Sequence, residues 1–191
     1  MIYIKKNDEP EWLIEYKKRH PTATYDADTF SCYREQLRKE LVMEQHNLCA
    51  YCCCRISNDK AHNEHIEPRH PKKGSSTKTL DYSNIVASCN NRDRCGAKKG
   101  NDHEASEFIS PLNPKCEEVF IYYPDGVMEG NKYTIDLLNL NSYELKEARK
   151  AVYRTLSTLD KSTIEMIYCQ DDEKLSPFYN VIRWVVKNKS I

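Results

Sequence analysis

The hydrophobic positions of the chain fall into short stripes separated by polar, turn-forming stretches. Phe30, Tyr33, Leu37 and Leu41 recur three or four residues apart, which is the period of one helical face. They predict a helix from an N-cap at Thr29 through His46. Ahead of it, Pro10 suits the first turn of a short helix running to His20, where Pro21 stops it. Residues 58–82 are loop-rich: Asn58-Asp59-Lys60 reads as a turn and Ala61 to Pro68 as a short strand. Asn84-Ile-Val-Ala-Ser-Cys89 is apolar enough for a second strand, Arg94 to Gly100 opens a helix, and Ser110-Pro-Leu-Asn-Pro114 breaks the chain. Val119 to Tyr123, the turn Pro124-Asp125-Gly126 and Val127 onward predict a hairpin. Thr134 to Leu140 leads to a cap at Asn141 or Ser142. The helix that follows carries Leu145, Ala148, Val152, Leu156 and Leu159 on one stripe. Ser176-Pro177 starts a last helix with Phe178, Ile182, Val185 and Val186. The expected class is α+β. It divides into a helical segment (1–47), a loop-rich core (48–114), and a hairpin with a helical C-terminal extension (115–191).

Of the 191 residues, 39% are hydrophobic, enough for a core, while 30% charged residues and a mean hydropathy of −0.79 suit a solvated surface. No run of about 18 apolar residues occurs, so no membrane-spanning helix is expected. Residues 1–9 lack the apolar stretch of a secretory signal, and a cytoplasmic location is expected. Nine cysteines, an odd number in a reducing compartment, favour metal ligation over disulfides for the well-spaced ones. The net charge is zero but unevenly spread. Residues 55–99 carry ten basic and five acidic side chains, whereas residues 100–191 carry 11 and 15. The central segment would attract a phosphate-bearing partner, and the acidic tail would meet another protein.

That basic segment also holds the chemistry. Cys49-x2-Cys52 follows the expected helix and is answered by Cys89-x5-Cys95, a set that can hold one structural zinc in closed tetrahedral coordination. Cys53 and Cys54 directly follow Cys52 and compete as ligands; Cys32, Cys116 and Cys169 are isolated and read as buried thiols. Between the cysteine pairs lie Glu64-His65 and Asn84. A neutral imidazole is a natural base near neutral pH, a carboxylate suits magnesium or manganese, and an amide can hold either a base or a strand. Together they are the parts that phosphodiester hydrolysis needs. His62 stands two residues before Glu64 and either assists or is structural. Lys72, Lys73, Arg92, Arg94, Lys98, Lys99 and His70 are candidates for phosphate contact or plain solvated charge.

Leu48-Cys-Ala-Tyr-Cys52, Glu64-His-Ile-Glu-Pro68, Tyr82-Ser-Asn-Ile85 and Ser88-Cys89 through Cys95-Gly-Ala-Lys-Lys-Gly100 resemble the HNH endonucleases, in their zinc-containing branch. Ser110-Pro-Leu-Asn-Pro114, Asp125-Gly126 and Ile135-Asp-Leu-Leu-Asn-Leu-Asn141 are similar to a narrower group, the PtuB-type nucleases of Septu and retron-linked anti-phage systems. The resemblance covers about residues 45–155. It implies a zinc-stapled ββα-metal (His-Me finger) core set among helices. It also implies that His65 is the general base, that Glu64 binds Mg2+ or Mn2+, that Asn84 orients the base, and that Cys49, Cys52, Cys89 and Cys95 hold Zn2+. The third letter of the motif departs from the family: Gly96 stands where His or Asn is common. His103 falls seven positions later, on the same face if the helix continues, whereas a helix ending at Gly100 voids that placement. Asn101, Asp102 and Asn90 remain open for the same role. The implied substrate is nucleic acid, with DNA ahead of RNA, and the implied partner is a PtuA-like ATPase that contacts the C-terminal region. Two alternatives keep the motifs: the same site acting on RNA such as transfer RNA, or a zinc-dependent binding module that does not cut.

Overall fold

The computed structural model describes residues 1–72, 74–169 and 174–189. At its centre β1 (Ala61–His65) and β2 (Ile85–Cys89) form an antiparallel pair, with Ala61 opposite Cys89 and His65 opposite Ile85. β1 is three residues shorter than expected, because Pro68 and the turn before it leave the ladder. Helix α2 (Arg34–Glu44) packs on both strands and α3 (Cys95–Lys99) on β2, which explains why β2 is apolar and buried along its whole length. Buried Gln45, just past α2, extends the sheet's hydrogen bonding. Its amide nitrogen donates to the carbonyls of Leu48 and Ala87 (2.8 Å each), and its oxygen accepts from Ala87 N at 2.6 Å.

The long helix expected from Thr29 is divided. Asp28–Tyr33 is a 3₁₀ turn and only Arg34–Glu44 is α-helical. The Thr29 hydroxyl pairs with Tyr16 Oη at 2.7 Å and caps nothing, while Phe30 and Tyr33, three residues apart, stack on the same side, as the 3₁₀ period dictates. Cys32 falls off that side and is exposed, contrary to the expectation of a buried thiol; Cys116 is buried and Cys169 half-buried. Helix α1 (Glu11–Arg19) follows Pro10 as expected and buries Leu13 and Tyr16.

The hairpin is short: β3 (Ile121–Tyr122) pairs with β4 (Met128–Glu129) around Gly126. Helices α4 (Lys132–Leu137), α5 (Tyr143–Ser157), α6 (Lys161–Tyr168) and α7 (Tyr179–Asn188) complete the chain. α6 has no counterpart in the hydrophobic stripes. It starts where the Asp160 carboxylate accepts from Thr163 N at 2.8 Å, a polar cap that hydrophobic periodicity does not register. α7 begins at Tyr179 and not at Ser176, after Phe178 takes a left-handed conformation (φ 58°). Ile4, Leu13, Ile85, Val86, Leu145 and Val181 belong to one buried cluster, so the three sequence segments share a core. Ile4 N donates to Pro111 O at 2.9 Å, and Asn180 Nδ2 to Tyr122 Oη at 2.8 Å. Among the described residues, no helix is long and apolar enough to cross a membrane.

Candidate active site

Side chains alternate along β1, so neighbouring residues serve opposite faces of the strand. Asn63 and His65 turn toward the start of α2: Asn63 Nδ2 donates to Tyr25 Oη (2.9 Å) and Arg34 O (2.8 Å). The His65 ring packs edge-on to Tyr25, with centroids 4.7 Å apart. His62 and Glu64 turn toward α3. This division of labour follows from a period of two and needs no special residue.

His65 is 4% exposed, and its Nε2 lies 2.9 Å from Thr79 O. A carbonyl only accepts, so Nε2 carries the proton and Nδ1 keeps the lone pair. Burial pushes the imidazole down to about 4, and the Thr79 bond only partly opposes it. The ring is therefore neutral at physiological pH, the protonation state a general base requires.

Asn84 does not bond to this ring. Its Oδ1 accepts from Glu67 N at 2.8 Å, and its Nδ2 donates to Glu67 O (3.1 Å) and Lys78 O (3.2 Å). The amide thus clamps both ends of the loop between the strands. Lys78 immediately precedes Thr79, whose carbonyl holds His65, so Asn84 is linked to His65 only through the loop.

Glu64 is buried against a fixed cation. Its Oε1 lies 3.1 Å from Lys99 Nζ and accepts from Tyr51 Oη at 3.2 Å. Lys99 is 1% exposed and also donates to His65 O at 3.0 Å. Burial works to raise the Glu64 carboxyl, but His62 and Lys99 outweigh it and the net shift is downward. Glu64 Oε2 stands 3.5 Å from His62 Nε2. Both lie directly over Gly96: a Cβ built there would meet Oε2 at 2.5 Å and the imidazole nitrogen at 2.8 Å. The missing side chain at Gly96 is the room these two groups occupy.

α3 ends at Lys99, and Gly100 caps it at φ 53°, which takes His103 off the helix and removes the helical-face argument for it. His103 instead packs near Phe108 and lines clefts of about 280 and 750 Å3 with Glu67; Asn101 lines the larger one. The linings of both clefts leave out Glu64. The structure thus brings His62 and Lys99 to Glu64, and neither His103 nor Asn101. Strand alternation was the signal for His62, and burial of Lys99 had none.

The Sγ atoms of Cys49, Cys52, Cys54 and Cys89 lie within 4.8 Å of one another. Cys95, wholly buried at the start of α3, packs its thiol against Cys49, Cys52 and Cys89. The mutually close set thus contains Cys54, with Cys95 beside it and outside it; four sulfurs at about 2.3 Å would complete a tetrahedral zinc. Cys54 joins because the chain turns back on itself, with Cys49 N donating to Cys54 O at 2.9 Å and Cys53 at φ 59°. Hydrogen bonds within the cluster push the Cys89 thiol down and those of Cys52 and Cys54 up, so the sulfurs share their protons unevenly. Cys53 points away, into a cluster with Ile2 and Leu48.

Of the basic candidates, Lys99 is committed to Glu64. The buried Arg94 Nε has no hydrogen-bond partner, and its guanidinium stands beside Cys52 and Cys89. Lys72 pairs with Asp102, and His70 with Asp26 at 3.1 Å. Lys73 lies outside the described residues.

The features together are those of an α+β protein with a cysteine cluster that can hold zinc, set against a strand carrying a buried Glu-His pair. No protein-family model matches the chain. It is similar to an Escherichia coli protein named "Retron Ec83 putative HNH endonuclease", 28% identical over 132 residues, or 65% of this chain. The chain spans about half (48%) of that relative's length. The resemblance read from the motifs thus has a counterpart in a curated HNH nuclease name from a retron context.

Proposed function

We propose that the protein is a metal-dependent HNH endonuclease that hydrolyses phosphodiester bonds in nucleic acid, with DNA as its substrate. β1, β2 and α3 would form the ββα-metal core, stapled by zinc on Cys49, Cys52 and Cys89 with Cys95 or Cys54 as the fourth ligand. The observation that carries this reading is His65: a neutral, buried imidazole with Nε2 tied to a carbonyl and Nδ1 left as acceptor, next to Glu64 at the end of one strand. His65 Nδ1 takes the proton of the attacking water, while Thr79 O steadies the imidazolium that forms. Glu64 is the residue to hold Mg2+ or Mn2+, which would neutralise charge developing on the scissile phosphate. Asn84 keeps the loop, and through it the base, in register.

The test is cleavage of matched DNA and RNA panels with Mg2+ or Mn2+ by wild type and His65→Ala. Loss of at least about a hundredfold in rate, with zinc content and melting temperature unchanged, is expected. Equal behaviour of the two would leave a binding module, and cleavage of the RNA panel alone would move the substrate to RNA.

The name of the relative supports a retron-linked nuclease; the motif resemblance over residues 110–141 extends this reading to the effector of a retron- or Septu-type anti-phage system that works with a PtuA-like ATPase. The C-terminal region would supply the contact, since Tyr143 and Ile167 are exposed there. Deleting residues 115–191 would breach the shared core, so surface substitutions are the cleaner probe. Tyr143→Asp with Ile167→Asp should abolish co-purification with a co-expressed PtuA-like ATPase, while leaving the melting temperature intact.

A further inference from the structure

In a site of this kind a lone carboxylate is a poor cage for a divalent ion, and here it is already half neutralised. Lys99 Nζ, 3.1 Å from Glu64 Oε1, supplies a fixed positive charge that a second cation must tolerate. Helix α3 offers no further donor, because Gly96 has no side chain. The structure has instead brought an imidazole from the strand into the space a helix side chain would fill.

Resting on the nuclease reading above, we infer that His62 is the second protein ligand of the catalytic divalent cation, binding through Nε2 beside Glu64 Oε2, and that Gly96 is glycine to make room for it. Three features carry this. The first is orientation. Asn90 Nδ2 donates to Asp59 O at 3.3 Å, which turns its Oδ1 to His62 Nδ1 at 3.2 Å. Nδ1 therefore carries a proton, and Nε2 is the nitrogen that faces Glu64, where a divalent cation would take the place of any proton on it. A carbonyl partner on the far nitrogen is the usual arrangement behind a metal-binding histidine. The second is spacing. At 3.5 Å, Nε2 and Oε2 make only a long contact, well beyond the roughly 2.7–2.9 Å of a tight charge-assisted hydrogen bond. Two adjacent ligands of one octahedral ion, each about 2.1 Å from it, stand roughly 3.0 Å apart, so a shift of about 0.5 Å would bring both onto one cation. The third is space: the Cβ that Gly96 lacks would fall 2.5 Å from one of these atoms and 2.8 Å from the other. His62 is partly exposed, so the free coordination positions would face solvent and the phosphate that enters from it.

The competing account is a structural contact in which a protonated His62 merely partners Glu64. Mn2+ separates the two. Full-length zinc-loaded protein, with no nucleic acid present, is titrated with Mn2+ and followed by electron paramagnetic resonance. Pulsed measurements then read the modulation from directly bound nitrogen. Wild type should show one bound Mn2+ with nitrogen coupling. His65→Ala should keep that coupling. His62→Ala should lose it and bind Mn2+ at least about tenfold more weakly, with zinc content and melting temperature unchanged. Should His62→Ala fail to fold, His62→Gln, which retains a hydrogen-bonding end, is expected to bind Mn2+ without nitrogen coupling. Mn2+ bound to wild type without nitrogen coupling, or coupling that survives loss of His62, overturns the inference and leaves the nuclease reading standing. Wild type that neither binds Mn2+ nor cleaves nucleic acid overturns both.

Discussion

At the scale of single residues the site is governed by groups that cannot leave their partners. Asn84 satisfies three backbone atoms at once, at Glu67 N, Glu67 O and Lys78 O. Asn84→Ala would strand them and should cost about 1–3 kcal/mol, read by urea denaturation. Hydrogen exchange at the Glu67 amide should quicken in the same variant, and cleavage should fall because the carbonyl that fixes His65 lies in the loosened loop. Melting and exchange equal to wild type would show that the clamp carries no load. That His65 and Asn84 fall at the two strands and near one loop was legible from their spacing in the sequence. The manner of their coupling was not, since it runs through the backbone of a loop that carries no motif of its own.

At the scale of elements, short pieces are held by turns with little tolerance. Gly126 sits at φ 86° between β3 and β4, and a Cβ there would lie 1.9 Å from Lys146 O, at the start of α5. Its carbonyl also accepts from buried Arg149 Nε at 2.7 Å. Gly126→Ala should therefore destabilise by roughly 2–4 kcal/mol, a left-handed strain plus a clash with backbone, visible as a lower melting temperature. The Asp125-Gly126 turn was readable because glycine is the common answer to a positive φ. The end of α3 was open in the sequence for the opposite reason. A run of Gly-Ala-Lys-Lys-Gly-Asn carries no apolar stripe, and only the chain's turn at Gly100 shows that His103 leaves the helix.

At the scale of the whole molecule, the cysteine cluster and the shared core make stability cooperative. The proposed zinc, removed with a strong chelator, should leave as one metal per chain and lower the melting temperature of the entire protein in a single transition, because the loops around Cys49–Cys54 abut the core that also holds α5 and α7. Cys52→Ser should behave in the same way, whereas exposed Cys32→Ser should leave zinc content and melting unchanged. Chelation that melts only a local segment, or that leaves the transition where it was, would refute the cooperative picture.

What the sequence determined by itself is the chemistry in hand: paired cysteines, a Glu-His dipeptide on a short strand, a bracketed Asn, and an α+β rhythm of stripes and turns. Residue type and local spacing are enough for these, because periods of two and 3.6 and the demands of turns act within a few neighbours. Only the tertiary structure decided which atoms meet: Lys99 against Glu64, His62 over the bare backbone of Gly96, Cys54 among thiols expected to be four. Those contacts join residues up to 35 positions apart, and they are fixed by packing, where the absence of one methyl group is as decisive as the presence of a charge.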